Sequence, residues 1–427
     1  MRILWFTNIP MKAVVNRLGH PDIETGGWMG SLLELLINIP GIELGVASAS
    51  QSDFEPFSEA GVTYFNIKVP PLLQGFRAML HRWEHKVDFP DVLEQYFNIV
   101  QIFHPDIIHV HGSENSYGLI QGEVTIPLVI SIQGILTEYV RFYLSDLRPR
   151  DILREITRLE FAKGRGLLHD YWMMQRAAER ERQIIRKNRY FVGRTAWDKA
   201  FTMFCKPSAL YYHCDEVLRA PFYLKTWSYM PRKRAVIYCT SSAAPYKGIN
   251  CLLEAVALLR KSGSDVELRV GGIIKDTPLW PMLHKRLREL NLSETVAWLG
   301  SLDADAITGE LLGASVYVLP SWIENSPNSL CEAMLVGVPC VASFVGGLPT
   351  MMRDQEEGLM FPAGDPYALA DKIQQILTDP ALAKKLSDQA HRTAIRRHDP
   401  QRIAKTMMEI YYKVIKSSNQ KAIERYE

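Results

Sequence analysis

Short apolar or β-branched runs alternate along the chain with longer stretches in which apolar residues recur every three to four positions. That alternation predicts parallel sheets covered by helices, and it occurs twice. In the first half, strands are predicted at residues 3–6, 44–47, 62–67, 106–110 and 128–132, with helices such as 27–36 and 92–103 between them. Residues 190–192 and 209–212 read as the last strands of this half. A second series runs strand 235–239, helix 249–260, strand 266–270, helix 282–290, strand 296–299, helix 306–312 and strand 316–319. Ile249, Leu252, Leu253, Val256 and Leu259 share one helical face, which predicts packing on the second sheet. After the break at His398-Asp399-Pro400, the residues Ile403, Met407, Ile410, Tyr411 and Val414 stand at helical spacing and predict a terminal helix capping one of the two domains.

The fold class is therefore α/β, with two Rossmann-like doubly wound domains facing across a cleft. The 427 residues are enough for two or three domains at roughly 150 residues each. We place an N-terminal domain at 1–220, a C-terminal domain at 221–400 and a final helix at 401–427. Met230-Pro231-Arg232-Lys233-Arg234 reads as the linker. Within the first domain, 138–189 reads as a helical insertion, where 13 Lys+Arg face 8 Asp+Glu. Its basic faces are either solvated or a surface for an anionic lipid or acceptor.

Composition narrows the classes. A net charge of +2 from 49 Lys+Arg and 47 Asp+Glu supplies no footprint for nucleic acid. With 47% hydrophobic and 22% charged residues the chain is globular rather than disordered. Six cysteines without a Cys-x-x-Cys pair read as reduced core thiols and predict a reducing compartment. The start of the chain has too short an apolar run for a signal peptide. The apolar run at 334–349 is broken by glycines and prolines and cannot span a membrane, so any membrane contact is expected to be peripheral.

Ligands of paired doubly wound domains bind at the carboxyl ends of strands. The loop after strand 316–319 is the richest, with Glu324, then Ser326 as an expected N-cap, Pro327 at the first helical position, and a helix carrying Glu332. The amides of Asn328, Ser329 and Leu330 form a seat for a phosphate at the helix N-terminus. Glu332, farther along, is spaced to accept from ribose hydroxyls, while Glu324 faces the group beyond the phosphates. Lys247, between strand 235–239 and the next helix, is a candidate to neutralise a leaving diphosphate. Gly26 and Gly27, between the first strand and first helix, would let backbone approach a phosphate or acceptor. Asp303-Ala304-Asp305 reads as an N-cap turn rather than a metal motif. His109 and His111 lack a third ligand at metal spacing and read as strand-end packing or acceptor-site residues.

These residues resemble the glycosyltransferases of family 4, also called group 1, whose fold is the two-Rossmann GT-B architecture. The resemblance is strongest from Ala235 to Tyr412, through Lys247-Gly248, Leu299-Gly300, Leu319-Pro320-Ser321, Glu324 to Glu332-Ala333-Met334, Gly346-Gly347 and Gly358-Leu359. In the first half it rests on Gly26-Gly27, Pro105-Asp106-Ile107-Ile108-His109-Val110-His111 and Gly193-Arg194-Thr195-Ala196-Trp197-Asp198. It implies a C-terminal helix, 401–427, that crosses back onto the N-terminal domain, and a retaining, hexosyltransferase-type transfer from a nucleotide-diphosphate sugar, with a UDP-sugar favoured and neither cofactor nor metal. The acceptor would be a glycan or polyprenyl-linked lipid of cell-surface polysaccharide or glycolipid biosynthesis. Under this reading Glu324 and Lys247 are catalytic; Glu332, Asn328, Ser329, Leu330, Ser242 and Gly300 bind the donor; Gly26, Gly27, His111, Gln133 and Arg194 serve the acceptor or phosphate loop. A cytoplasmic location, with contact to the inner membrane face, is the matching expectation.

Two positions depart from the family's pattern. Ser242 stands where an arginine commonly precedes the lysine by five residues, and Arg194 is the expected compensation. Gln133-Gly134 replaces a frequent His-Gly, and a glutamine orients a hydroxyl but does not titrate. The alternatives are a nucleotide-sugar 2-epimerase of GT-B type and a non-catalytic nucleotide-sugar-binding subunit.

Overall fold

The computed structural model describes residues 1–19, 27–50, 52–69, 79–80, 82–88, 91–156, 158–242, 244–273, 277 and 279–423. The chain divides into two compact units. One comprises Met1–Thr137, Trp172–Leu218 and His398–Glu427; the other comprises Glu138–Tyr171 and Arg219–Arg397.

The first unit is built on eight strands: β1 Arg2–Thr7, β2 Glu43–Ser50, β3 Phe57–Glu59, β4 Val62–Lys68, β5 Ile107–His111, β6 Leu128–Ser131, β7 Tyr190–Gly193 and β8 Leu210–His213. Their order is β3-β4-β2-β1-β5-β6-β7-β8. All pairs are parallel except β3 with β4. Central strands buried on both faces read as continuous apolar runs, and β1 shows why. Ile3 and Trp5 enter one apolar cluster, Leu4 and Phe6 the other, as the period of two requires.

The Pro400–Ile423 helix places Ile403, Met407, Ile410, Tyr411 and Val414 in the cluster of Ile3 and Trp5. It also joins the sheet through polar bonds. Trp5 Nε1 donates to Tyr411 Oη at 3.1 Å, and His109 bonds Tyr411 Oη through Nδ1 and Ser131 Oγ through Nε2, both at 2.7 Å. Burial lowers the His109 imidazole to about 3, so the ring is neutral in this network.

The second unit holds β9 Ala235–Thr240, β10 Val266–Gly271, β11 Val296–Gly300, β12 Val316–Leu319, β13 Cys340–Ser343 and β14 Leu359–Phe361. The order is β11-β10-β9-β12-β13-β14, parallel throughout. Ile249, Leu252, Leu253, Val256 and Leu259 of the Ile249–Lys261 helix lie in its core.

The stretch 138–189 is not a single insertion into the first half. Glu138–Tyr171 belongs to the second unit, and the chain re-enters the first at Trp172. Burial explains the division: Leu147 and Leu167 sit in the second unit's apolar cluster, with Leu144 and Ile152 packed against it. The basic residues of the stretch are extensively paired, Arg141 with Glu138, Arg148 and Arg150 with Glu289, and Lys163 and Arg165 with Glu160. Among the described residues no helix is long and apolar enough to cross a membrane. The division falls after Leu218 and Arg397 rather than after 220 and 400.

In the first unit, Glu181 of the Leu167–Lys187 helix is fully buried. It accepts from Leu136 N at 3.1 Å, Thr137 N at 2.7 Å and Ser113 Oγ at 2.8 Å. Burial is the largest influence on this carboxyl and raises it from 4.5 to about 7 despite those donors. Between these two values the folded chain holds a proton that the unfolded chain releases. Stability therefore falls as pH rises through that window, by about 3 kcal/mol in all. Glu181→Gln escapes this loss, so its thermal midpoint relative to the parent should rise by several degrees from pH 4.5 to pH 8. Parallel pH profiles for the two proteins would refute the assignment.

Candidate active site

The pair Lys247 and Glu324 stands at the carboxyl ends of β9 and β12. Lys247 closes a short turn, Pro245–Lys247, and Gly248 follows with φ of +74°. A Cβ on Gly248 would overlap the Pro320 carbonyl oxygen, so the two turns meet through bare backbone. Trp322 N donates to Tyr246 O at 2.8 Å and fastens them again.

Lys247 Nζ reaches Glu324 Oε1 at 2.6 Å, and Ser321 Oγ donates to the same oxygen at 2.8 Å. The Glu324 side chain is 4% exposed and that of Lys247 23%, so the lysine is partly open to solvent while the carboxylate is buried. Burial works against the lysine's charge, but the Glu324 carboxylate outweighs it and holds the ammonium above its ordinary value. Behind Glu324, its carbonyl accepts from Gly347 N at 2.9 Å, and a Cβ on Gly346 would overlap that carbonyl.

The helix after Glu324 spans Asn328–Val336, and Pro327 occupies the N-cap without a side-chain bond. It thus begins one residue later than Ser326 as cap would require. Ser326 Oγ is instead buried with no hydrogen-bond partner among the described residues. Leu330 N already donates to Pro327 O at 3.1 Å, which removes it from the expected phosphate seat. Asn328 and Ser329 remain at the first turn, where amides precede the helix's own bonding.

Glu332, buried on the same helix, accepts from Arg219 Nη2 at 2.9 Å. Sequence reasoning missed Arg219, which lies 113 residues away from its partner. Ser242 is exposed, and its hydroxyl accepts from Ala244 N at 3.4 Å. Gly300 ends the edge strand β11 with φ of +69°, its carbonyl accepting from Gly272 N at 2.6 Å. Asp303 caps the Ala304–Gly313 helix by accepting from Ala306 N at 2.8 Å.

The remaining candidates lie in the first unit. Arg194 is buried and paired with Glu216, and its Nη2 donates to Ile132 O at 2.9 Å and Gln133 Oε1 at 3.0 Å. Its charge is balanced there by Glu216. His111 is buried with its ring centroid 3.9 Å from that of His109, 4.4 Å from Trp5 and 5.5 Å from Trp28. Among the described residues neither of its nitrogens has a hydrogen-bond partner, and burial, His109 and Arg194 push its pKa well down. Gly27 begins the Gly27–Leu36 helix, and a Cβ there would meet nothing within 4 Å. Gly26 lies outside the described residues.

Residues 228–393 match the family model "Glycosyl transferases group 1". The chain is 30% identical over 200 residues to an MMP alpha-(1->4)-mannosyltransferase of Mycolicibacterium hassiacum, covering 46% of this chain and 48% of the relative. It is 30% identical over 187 residues to a phosphatidyl-myo-inositol mannosyltransferase of Mycobacterium leprae, covering 44% and 48%. The matches thus span about half the length of these curated relatives. Among solved structures, sucrose-phosphate synthase of Thermosynechococcus elongatus superposes with a TM-score of 0.71 at 17% identity, covering 98% of this chain and 100% of that one. Anabaena HepE in complex with UDP-glucose gives 0.64 at 17% identity, covering 97% and 100%. The fold is GT-B.

Gly248 and Gly300 both have positive φ, but only Gly248 faces a backbone oxygen. Strain alone predicts a loss of about 1 kcal/mol for Gly300→Ala, and collision with Pro320 predicts a larger one, about 3 kcal/mol, for Gly248→Ala. Denaturant unfolding of both variants checks this; equal losses would contradict the close approach.

Proposed function

Since residues 228–393 match the group 1 glycosyltransferase model within a GT-B fold, we propose that the protein transfers a sugar from a nucleotide-diphosphate donor to a glycan or lipid-linked acceptor. The observation that carries this reading is the 2.6 Å Lys247–Glu324 pair beside the Asn328–Val336 helix N-terminus. A UDP-sugar is the favoured donor, a choice supported by UDP-glucose in the HepE complex. The mannosyltransferase relatives support a lipid or glycan acceptor in envelope biosynthesis.

In this reading the diphosphate meets the Asn328 and Ser329 amides and the Lys247 ammonium. Glu332 accepts from the ribose hydroxyls and Glu324 from the transferred sugar. The bond from the anomeric carbon to the leaving phosphate oxygen breaks, and the bond to the acceptor oxygen forms on the same face. The acceptor's proton passes to the leaving phosphate, so the configuration is retained without a side-chain base. Gln133, unable to titrate, orients a hydroxyl. Lys247 and the helix amides supply the positive charge that a metal would otherwise bring. We place the protein in the cytoplasm, with its acceptor at the inner membrane face.

Lys247→Ala and Glu324→Ala should each lower transfer by about 10²-fold or more, and each should also lower the thermal midpoint, because each leaves the other charge unpaired. Full transfer by either variant would overturn the site. UDP at 100 times its dissociation constant should stabilise the parent by about 2.7 kcal/mol, equally with and without chelator. A shift that chelator abolishes would overturn metal-free binding, and release of UDP and free sugar from donor alone, at the full rate, would favour the epimerase.

A further inference from the structure

We propose that Asp146, on the Glu138–Tyr171 segment, is a positioning residue that holds the turns of Lys247 and Glu324 in register; the inference rests on the sugar-transfer site proposed above. The need arises at Gly248. It is the N-cap of the Ile249–Lys261 helix, and close approach to Pro320 forbids a side chain there, so the helix has no cap of its own. Asp146 supplies one from 104 residues upstream. Its Oδ2 accepts from Asn250 N at 2.7 Å, its Oδ1 from Cys251 N at 3.3 Å, and its carbonyl from Asn250 Nδ2 at 3.0 Å.

The same carboxylate reaches the other turn. Asp146 Oδ1 accepts from Trp322 Nε1 at 3.2 Å, two residues before Glu324. One side chain thus bonds the helix that follows Lys247 and the loop that carries Glu324. Tyr139 of the same segment adds a parallel link, its hydroxyl accepting from Asn325 N at 2.9 Å. The rings of Tyr139 and Tyr143 lie 5.4 and 6.0 Å from that of Tyr246, the residue before Lys247. Asp146 touches neither Lys247 nor Glu324. Its effect is on their separation, to which transfer is sensitive because misplacement by about 1 Å can cost 10²-fold in rate.

The test uses the full-length protein with UDP-glucose and an accepted acceptor, or donor hydrolysis where transfer is unassigned. Asp146→Ala should lower kcat by about tenfold or more, with the donor KM within about threefold. Asp146→Asn keeps an oxygen for one turn only and should fall between Ala and the parent. Trp322→Phe removes a single donor and leaves the ring, so it reports on the link even if Asp146→Ala does not fold; a several-fold loss of kcat is expected. Asp146→Asn and Trp322→Phe should be coupled, the double variant losing no more than the worse single one. Strictly additive losses, or kcat within twofold of the parent in Trp322→Phe and Asp146→Asn, would overturn the proposal. Lys247→Ala run alongside separates the two failures. If that variant is inactive while the Asp146 and Trp322 variants are fully active, the positioning role alone is wrong; if it is active, the site itself is wrong.

Discussion

A lysine ammonium held 2.6 Å from a buried glutamate is the constraint on which the second unit's loops depend. Neither charge is tolerable alone in that setting, because an unpaired buried ion costs several kcal/mol. Pairing them requires two turns from different strands to meet within a bond length's tolerance. The glycines make that meeting possible: Gly248 lets the Lys247 turn press on the Pro320 carbonyl, and Gly346 lets the following loop press on that of Glu324. Ser321 then completes the coordination of Glu324 Oε1. The result is a cation held against a fixed carboxylate, on a side chain that stays partly open to solvent.

The strands and the paired residues were legible because each is a local pattern. Continuous apolar runs announce parallel strands, and Lys247, Glu324 and Glu332 stand in short motifs at strand ends. The helix start was misplaced by one residue, since Ser326 looks like a better cap than Pro327 by composition. Its hydroxyl is instead buried without a partner among the described residues, and Leu330 N is spent on Pro327 O. Local propensity ranks caps; it does not say which way a loop must turn to bring Glu324 to Lys247.

What the sequence hid is nonlocal. Arg219 sits in a stretch that reads as an interdomain boundary, with nothing nearby to suggest Glu332 as its partner. The helical stretch beginning at Glu138 carries an excess of basic residues and invites a surface reading. Its decisive residues are instead Leu147, Leu167, Tyr139 and Asp146, which a composition count does not distinguish from their neighbours. The partners of Arg194 are hidden for the same reason: its burial against Glu216 and Gln133 is set by loops from three different strands.

The first unit solves a different problem with the same economy. Its sheet buries His109, Glu181 and Arg194, and each is held by partners distant in sequence, Tyr411, Thr137 and Glu216 among them. A satisfied polar group in a dry interior fixes one arrangement where apolar packing would tolerate several. His111 contrasts with them, buried among aromatic rings with neither nitrogen bonded among the described residues. A neutral imidazole that gains no protein partner on folding keeps its full capacity to donate and accept, and the cost of leaving it so is repaid only when something else supplies the bond. That leaves unspent hydrogen-bonding capacity at the carboxyl end of β5, the end at which parallel sheets present their ligands.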